Sequence, residues 1–302
     1  SSDLFAKYIA INQNTKLPFK RYEIGEVFRN GPVKLGRDRE FIQCDVDSVG
    51  IEGQLVEAEF IALYVEAYSK LGIDVVIKYN NRKFLSGIII EAGISEELIT
   101  DTITIIDKFE KLTKEELQKE FLKIGLNEEQ IEKLYSYLQM NIEELIELEN
   151  KNDVLAQGIQ ELETLKQYIN ELELTKYVQF SPSLARGQEY YTGTVFEVES
   201  LDFNSSIAGG GRYDNLIGKF LKEQIPAVGF SIGFERIYNT EKQKKVVLIY
   251  EEDQVADAIR YAEELRKTYK TALYIKPKKL GKFLNKLEEQ GFDGFQVFGR
   301  DE

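Results

Sequence analysis

Arginines on predicted β-strands are the residues of this sequence best suited to chemistry on a charged ligand. They occur in three segments: Arg29 with Arg37 and Arg39, then Arg186, and later Arg236 after "GFSIGFE". A charged side chain on a central strand is costly to bury unless a partner of opposite charge is present. Arginine suits phosphate because its planar guanidinium forms two parallel charge-assisted hydrogen bonds. The pattern favours a sheet that holds a nucleotide triphosphate; pairing with local carboxylates, or plain solvation, is the alternative for any one arginine.

A second polar group lies on the segment "REFIQCDVD" at 39–47. Phe41, Gln43, Asp45 and Asp47 are spaced two residues apart, so on a strand they face one side. One aromatic ring, one amide and two carboxylates make a poor core face. They predict a site for a cationic, hydrogen-bonding small molecule, and the alternative is a half-solvated face of an antiparallel sheet.

The stretch "LARGQEYYTGTVFEV" at 184–198 predicts a β-strand over 190–198, because it is rich in aromatic and β-branched residues. A strand that only filled a core would not need Arg186 and Glu189 at its start. The nearby "AGGGRYD" at 208–214 contains consecutive glycines that would let a substrate or another segment approach the backbone. A tight turn is the alternative for that glycine run. Neither segment matches a Walker-type glycine–lysine loop, so a P-loop site is not predicted.

The absence of histidine limits the chemistry of this chain most. With 302 residues, one cysteine and no histidine, Ser-His-Asp and Cys-His catalysis are excluded and no metal site is predicted. The single Cys44 and the lack of a long apolar run predict a cytoplasmic protein that does not span a membrane. A net charge of −13 argues against broad non-specific binding of nucleic acid, but it does not exclude a local basic face.

Four compositional zones predict the elements that must position these residues. The first zone ends near residue 84 and reads as two strands, a helix over about 53–71 that Gly72 ends, and a further strand. The second, about 85–175, is dense in Glu, Lys, Leu and Ile with helical spacing, and "LTKEEL" and "LNEEQI" indicate helix starts. The third returns to strands. The fourth alternates β-α-β-α-β and predicts a small α/β domain with parallel strands.

Four segments together resemble the histidyl-tRNA synthetases, a family of class II aminoacyl-tRNA synthetases. "RYEIGEVFRNGPVKLGRDREFIQCDVDSVG" at 21–50 resembles the family's motif 2, and "PAVGFSIGFERI" resembles motif 3. "LARGQEYYTGTVFEV" and "AGGGRYD" resemble the two signatures specific to histidyl enzymes. The resemblance spans nearly the whole chain and implies an α+β fold. An antiparallel sheet flanked by helices would carry an all-α insertion and be followed by an anticodon-binding-like α/β domain.

The resemblance implies a role for each matching position. ATP would be bound by the residues Arg29, Arg37, Arg39, Phe41 and Arg236. Histidine would be bound by Ser2, Arg29, Gln43, Asp47, Arg186, Tyr190 and Tyr191. Arg29, Arg186 and Arg236 would be catalytic, with Arg186 supplying positive charge where other class II enzymes rely on a metal ion. Phe41 would stack on adenine, and Tyr190 and Tyr191 would line the imidazole pocket.

The implied reaction is the activation of L-histidine by ATP, followed by transfer of histidine to the 3′ end of tRNA(His). Mg²⁺ would accompany ATP, and the parent protein would be a homodimer in the cytoplasm. Because the attacking carboxylate is already ionised at pH 7, the reaction needs no general base. It depends on positioning and electrostatic stabilisation, which fixed guanidinium groups can provide. The locally basic stretches "LRKTYK" and "KPKKLGK" are predicted to face the tRNA, ordinary solvated lysines being the alternative.

The implied domains are a discontinuous catalytic domain over 1–84 and 177–240, a helical insertion over 85–176 and an incomplete anticodon-binding domain over 245–302. The family's motif 1 is expected to precede this chain, and Ser2 stands at a position where the family has threonine. One alternative is the regulatory subunit of ATP phosphoribosyltransferase, which resembles the catalytic fold but does not charge tRNA. Another is a non-catalytic module derived from a synthetase, which would predict damaged motif arginines.

Overall fold

A computed structural model describes residues 2–12, 14–30, 39–148, 151–188, 190–201, 203–221, 223–234, 237 and 244–299, with the backbone alone at 2–3, 203–205 and 288–289. The chain divides into two compact units, Ser1–Thr240 and Glu241–Glu302. The assignment of catalytic, insertion and anticodon-binding roles to these parts stays a prediction.

The described residues of the first unit form a seven-stranded sheet. Its strands are β1 (Phe19–Phe28), β2 (Glu40–Val49), β3 (Val75–Asn81), β4 (Val178–Phe180), β5 (Thr194–Ser200), β6 (Phe203–Arg212) and β7 (Ala227–Gly233). Their order across the sheet is β1-β2-β7-β6-β5-β3-β4, and all neighbours are antiparallel except β3 and β4. Together with the helices below, this confirms the predicted α+β fold class.

The predicted start of β5 was wrong: the strand begins at Thr194 and not at residue 190. The backbone before it makes isolated hydrogen bonds instead of a ladder. Thr192 N donates to Arg212 O at 2.9 Å, and Gly193 O accepts from Arg82 N at 2.8 Å. β propensity alone predicted Tyr190 and Tyr191 inside the strand. The short irregular segment leaves both tyrosines outside it.

Helix α2 (Leu55–Leu71) covers one face of the sheet, and Gly72 ends it with a φ of 68°, as predicted. Its Phe60 and Tyr64 rings pack on Phe230 of β7, with centroids 5.0 and 4.2 Å away. Near its start, Glu57 forms a buried ion pair with Arg212 of β6, at 2.6 Å from Nε to Oε1 and 2.8 Å from Nη2 to Oε2.

Two shorter helices lie against a second, smaller core of the first unit. They are α1 (Ser2–Ile11) and α9 (Asp214–Gly218). Phe5 and Ile9 of α1 pack in one cluster with Tyr191, Tyr213 and Ile217. Helix α1 and the two tyrosines therefore stabilise one another.

Between β3 and β4 the described chain is helical, as the periodicity predicted. The helices are α3 (Arg82–Glu91), α4 (Ile99–Ile106), α5 (Lys114–Lys123), α6 (Glu128–Leu138), α7 (Ile142–Ile146) and α8 (Asp153–Glu171). Capping boxes at Thr113 and Asn127 begin α5 and α6, which confirms both predicted helix starts. Helices α3 and α8 cross in backbone contact, because a Cβ at Gly87 would lie 2.5 Å from Leu155 Cα and one at Gly158 would lie 2.3 Å from Phe84 N.

The described part of the second unit is a small three-layer α/β domain. Its elements are β8 (Lys245–Tyr250), α10 (Val255–Leu265), β9 (Lys270–Ile275), α11 (Leu280–Glu289) and β10 (Gly294–Val297). The strands are parallel in the order β10-β8-β9, as predicted. Leu248 packs with α10 on one face of the sheet, and Val247 and Ile249 pack with α11 on the other.

Candidate active site

The floor of the candidate site is a patch of glycines in the middle of the large sheet. Each of three glycines leaves room for one predicted site residue: Gly209 for Arg186, Gly211 for Tyr191 and Gly229 for Asp47. A Cβ at these positions would stand 2.5, 2.9 and 2.1 Å, respectively, from the nearest atom of that residue. Asp47 pairs with Gly229, and Gly229 pairs with Gly211, so they form one row across β2, β7 and β6. The glycine run is thus a strand floor, and the tight-turn alternative was wrong.

Arg186 lies over this floor at its β5 side. Its Nη1 atom is 2.9 Å from Oε2 of Glu197, and both side chains are partly buried. Burial alone would lower the pKa of Arg186, but the nearby groups of Tyr191 and Glu197 outweigh it and raise the pKa. The guanidinium is therefore a permanent cation, held in a fixed place.

The segment that leads to Arg186 is held by Asn80, a residue that the sequence analysis did not identify. Asn80 is fully buried on β3, and its Nδ2 donates to Pro182 O at 3.0 Å and to Leu184 O at 2.9 Å. Ser181 N also donates to Tyr79 O at 3.0 Å. These bonds fix the backbone two residues before Arg186 and so restrict where its side chain can reach.

A carboxylate and three phenols form the other side of the candidate site. Tyr213 Oη donates to Asp47 Oδ1, while the Tyr190 ring packs against those of Tyr191 and Tyr213 at 4.7 and 6.2 Å between centroids. Burial raises the pKa of Tyr191 and of Tyr213 well above the ordinary value, so both phenols stay neutral donors near pH 7. Burial also raises the pKa of Asp47, against the hydrogen bond from Tyr213.

The polar face predicted on β2 is not a solvated sheet face in its inner half. Asp45 and Asp47 are 6% and 5% exposed, and Gln43 Nε2 donates to Asp45 Oδ1 at 2.5 Å. Phe41 lies six residues from Asp47 on the same strand, a span of about 20 Å. A ligand that touched both would have to be extended along the strand.

Arg29 lies at the Phe41 end of this face. Its Cζ atom is 4.4 Å from the centre of the Phe41 ring, a cation–π distance. The backbone of Arg29 also donates to Arg39 O at 2.9 Å, which closes the β1–β2 hairpin, and the Arg39 side chain is exposed. The predicted residues that lie outside the described part of the chain are Arg37, Glu189, Arg236 and the side chain of Ser2.

Comparison with known proteins decides the family. A family model described as histidyl-tRNA synthetase matches residues 4–237. The chain belongs to the histidyl-tRNA synthetase family. Both the predicted family and the predicted function class, an aminoacyl-tRNA synthetase, are confirmed at this level.

Relatives of the histidyl-tRNA synthetase family align along almost the entire chain. Histidine–tRNA ligase 1 of Bacillus cereus is 40% identical, and the alignment covers 99% of this chain and 74% of that protein. The histidine–tRNA ligase of Christiangramia forsetii is 34% identical, with coverage of 99% and 70%. The crystal structure of histidyl-tRNA synthetase from Nostoc superposes with a TM-score of 0.71 at 30% identity, over 95% of this chain and 72% of that one.

The regulatory-subunit alternative has less support than the histidyl-tRNA synthetase family. A structure described as an ATP phosphoribosyltransferase regulatory subunit/histidyl-tRNA synthetase from Bacillus halodurans is 18% identical, with a TM-score of 0.68, and covers 97% of this chain and 77% of that one. At that identity the likeness concerns the fold alone.

Two residues beside the glycine floor contact Asp47 but were not predicted from the sequence to belong to a site. Tyr213 was quoted within "AGGGRYD" but given no role, although its spacing from Gly209 and Gly211 places it on their face of the strand. Arg21 begins the segment that resembles motif 2 and no role of its own was predicted for it, yet it contacts Asp47 from β1. Arg212 of the same motif points to the opposite face, toward α2.

The described ranges contain no group of three or more acidic, cysteine or histidine side chains placed to hold a metal ion. Within those same ranges, the helices are too short or too polar to cross a membrane.

Proposed function

We propose that this chain activates L-histidine with ATP, forming histidyl-adenylate and pyrophosphate, and then transfers histidine to the 3′ end of tRNA(His). One observation supports the assignment of the site most strongly. The Arg186 cation and the buried pair of Asp47 with Tyr213 lie on the same face of the sheet, over its glycines. The guanidinium of Arg186 lies at Gly209 of β6, and the carboxylate of Asp47 lies at Gly229 of the neighbouring strand β7, two residues further along the sheet, a separation of about 8 Å. That spacing fits an amino acid with a charged head and a polar ring.

Arg186 is proposed to bind the histidine carboxylate and the α-phosphate of ATP. The carboxylate oxygen attacks the α-phosphorus, a new C–O–P linkage forms, and the bond to pyrophosphate breaks. No proton needs to move in this step, because the nucleophile is ionised. The guanidinium stabilises the negative charge that collects on the α-phosphate oxygens, and it acts without reorganising because Asn80 and Glu197 hold its surroundings.

Asp47 and the phenols are proposed to recognise the imidazole. A carboxylate accepts from one ring N–H, and a neutral phenol can donate to the other ring nitrogen or accept from it. An apolar side chain in that pocket would leave buried polar groups without partners, which costs more than a missing contact. Gln43, Tyr190 and Tyr191 belong to the same proposed pocket, as does Ser2.

The nucleotide is proposed to extend toward the hairpin end of β2. Adenine would stack on Phe41, whose ring already packs against the guanidinium of Arg29 at 4.4 Å. Arg29 would reach the α-phosphate, Arg37 and Arg39 the β- and γ-phosphates, and Arg236 the γ-phosphate end. Mg²⁺ is proposed to accompany ATP. The proposal also includes a homodimeric parent protein and, from the single cysteine, a cytoplasmic location.

The test is ATP–pyrophosphate exchange by the purified chain, run with each of the twenty amino acids in turn. Exchange is expected with histidine alone. Charging of tRNA(His) with labelled histidine then tests the second step. Exchange that depends on another amino acid, or none with any, would contradict the proposal. Exchange without charging of tRNA(His) would restrict it to the activation step.

The basic stretches of the second unit are proposed to face tRNA. Lys278, Lys279 and Lys282 are exposed in and after the loop that follows β9. Replacing all three by glutamine is expected to weaken tRNA binding about tenfold and to reduce its salt dependence, since each phosphate contact releases a counterion. Filter binding at several salt concentrations measures both effects.

The matched control removes the same charge from exposed helical positions: Lys119, Lys123 and Lys133. Equal weakening by both triple variants would mean that only net charge matters. An unchanged dissociation constant and salt slope for the loop variant would rule out this face.

A further inference from the structure

Arg21 holds the carboxylate that is proposed to read the imidazole. It lies on β1 directly opposite Asp47, and its Nε and Nη2 atoms are 3.0 and 2.9 Å from Oδ2. The other oxygen of that carboxylate, Oδ1, accepts from Tyr213. Both oxygens of Asp47 are therefore anchored, one by a cation and one by a phenol, and the plane of the carboxylate is fixed.

Arg21 is itself held in place from two further directions. The ring of Phe5, which is buried on α1, lies 4.0 Å from Cζ of Arg21. Glu23, two residues along β1, accepts from Nη1. The guanidinium thus has the Phe5 ring over one face, one edge toward Asp47 and another toward an exposed carboxylate. A cation that only improved solubility would extend into water, whereas Arg21 contacts Phe5, Asp47 and Glu23.

We propose that Arg21 is a positioning residue for histidine recognition: it keeps Asp47 ionised and oriented so that Asp47 can accept a hydrogen bond from the imidazole. The inference rests on the proposed function, because it takes Asp47 to be the group that contacts the imidazole. It adds a residue that lies outside the set predicted from the sequence.

The charges around Asp47 determine what the loss of Arg21 would do. Burial raises the pKa of Asp47, the hydrogen bond from Tyr213 and the charge of Arg21 lower it, and Asp45 raises it further. The groups that face Asp47 from neighbouring elements are Arg21 and Glu23 on β1, Asp45 on β2, Gly229 and Ser231 on β7, and Tyr213 after β6. Arg21 is the cation of this group. Its removal raises the pKa of Asp47, so protonation, which replaces a charged acceptor by a weaker neutral one, begins at a higher pH.

A purely structural role is the competing explanation, since Arg21 also joins β1 to β2. Loss of strand pairing would lower stability and activity at every pH alike. Loss of the ionised acceptor would instead raise KM for histidine and move the acidic limb of the pH profile. The two explanations therefore differ in a quantity that can be measured.

The experiment compares Arg21→Met, Arg21→Lys and the control Lys20→Met by histidine-dependent pyrophosphate exchange between pH 5 and 9. Lys20 is the adjacent residue, points to the other face and pairs with Glu59 at 2.6 Å. For Arg21→Met, KM for histidine should rise about tenfold with kcat within about twofold, and the acidic limb of kcat/KM should move up by about one pH unit. Arg21→Lys should keep the limb in place because it keeps the charge. Lys20→Met should leave both parameters unchanged.

An unmoved acidic limb in folded Arg21→Met would overturn the inference, and so would a limb that moves equally in Arg21→Lys. If Arg21→Met does not fold, Arg21→Lys decides: a raised KM with the parent's limb supports the role, and a displaced limb rejects it. Absence of histidine-dependent exchange in the parent chain would overturn the proposed function instead.

Discussion

Replacing Arg186 by glutamine is expected to lower the rate of histidyl-adenylate formation by about two to three orders of magnitude. Removal of one preorganised donor from a developing oxyanion has a cost of this size in other enzymes. Glutamine keeps much of the side chain's length and can donate hydrogen bonds, but it carries no charge. Because the guanidinium acts mainly on the transition state, kcat should fall more than KM rises. Pyrophosphate exchange at saturating ATP and histidine measures the effect.

The matched control for this prediction is Arg260→Gln. Arg260 pairs with Asp257 on α10, its side chain is 72% exposed, and it is expected to leave exchange unchanged. A rate for Arg186→Gln within about threefold of the parent would contradict the proposed role, since an effect that small corresponds to less than about 1 kcal/mol.

Gly209→Ala tests the position of the Arg186 guanidinium without changing Arg186 itself. The new Cβ would stand 2.5 Å from Nη1 of Arg186 and 3.0 Å from the carbonyl oxygen of Phe196. The side chain can move more easily than the backbone, so the guanidinium should be displaced and activity should fall in the same direction. Gly281→Ala, where a Cβ meets nothing within 4 Å, is the control.

Replacing Arg212 by methionine is expected to destabilise the first unit by about 3–5 kcal/mol, the usual cost of breaking a buried ion pair from one side. Arg212 is 4% exposed and Glu57 is fully buried. Arg212 also lies 3.1 Å from Oδ1 of Asp214. The variant would leave one buried carboxylate without its cation. Urea unfolding followed by circular dichroism measures the loss, and Arg260→Met should change stability by less than about 0.5 kcal/mol.

The destabilisation of Arg212→Met should shrink at low pH. Burial already raises the pKa of Glu57, and Arg212 opposes that rise, so removing Arg212 raises the pKa further. The folded variant then binds this proton more tightly than the unfolded chain does. The free energy of unfolding of Arg212→Met is therefore greatest below the pKa of Glu57 in the unfolded chain, about 4.3. It falls as the pH rises toward the higher pKa of Glu57 in the folded variant. If the difference in free energy of unfolding between Arg212→Met and the parent stays constant from pH 5 to 8, the unpaired charge of Glu57 is not the cause of the destabilisation.

Regular patterns in the sequence were sufficient to predict much of the fold. Some features depend on residues that are close together in sequence and could therefore be predicted. They are the capped helix starts at Thr113 and Asn127, the end of α2 at Gly72, and the parallel strands of the second unit. The two-residue period of β2 correctly placed Gln43 and Asp47 on one face.

Long-range pairings could not be predicted in the same way. Arg21 meets Asp47 because of the register of the β1–β2 hairpin, and that register is set where the two strands join. Asn80 reaches Leu184 across 104 positions of sequence, a contact that no local pattern encodes. The late start of β5 has the same origin, since Thr192 and Gly193 are tied to residues of other elements.

The crossing of α3 and α8 has a consequence for how this protein can vary. Their contacts, with Gly87 against Leu155 and Gly158 against Phe84, run in opposite directions along the two helices. The crossing is closed at its far end where Asn152 N donates to Oε1 of Glu91 at 2.7 Å. The two ends of the segment 92–151 therefore lie close together, beside the crossing of α3 and α8. An insertion or deletion in that segment that spares Glu110, which pairs with Lys78 of β3 at 3.0 Å, would keep the two ends together and leave the spacing of the strands that surround Arg186 and Asp47 unchanged.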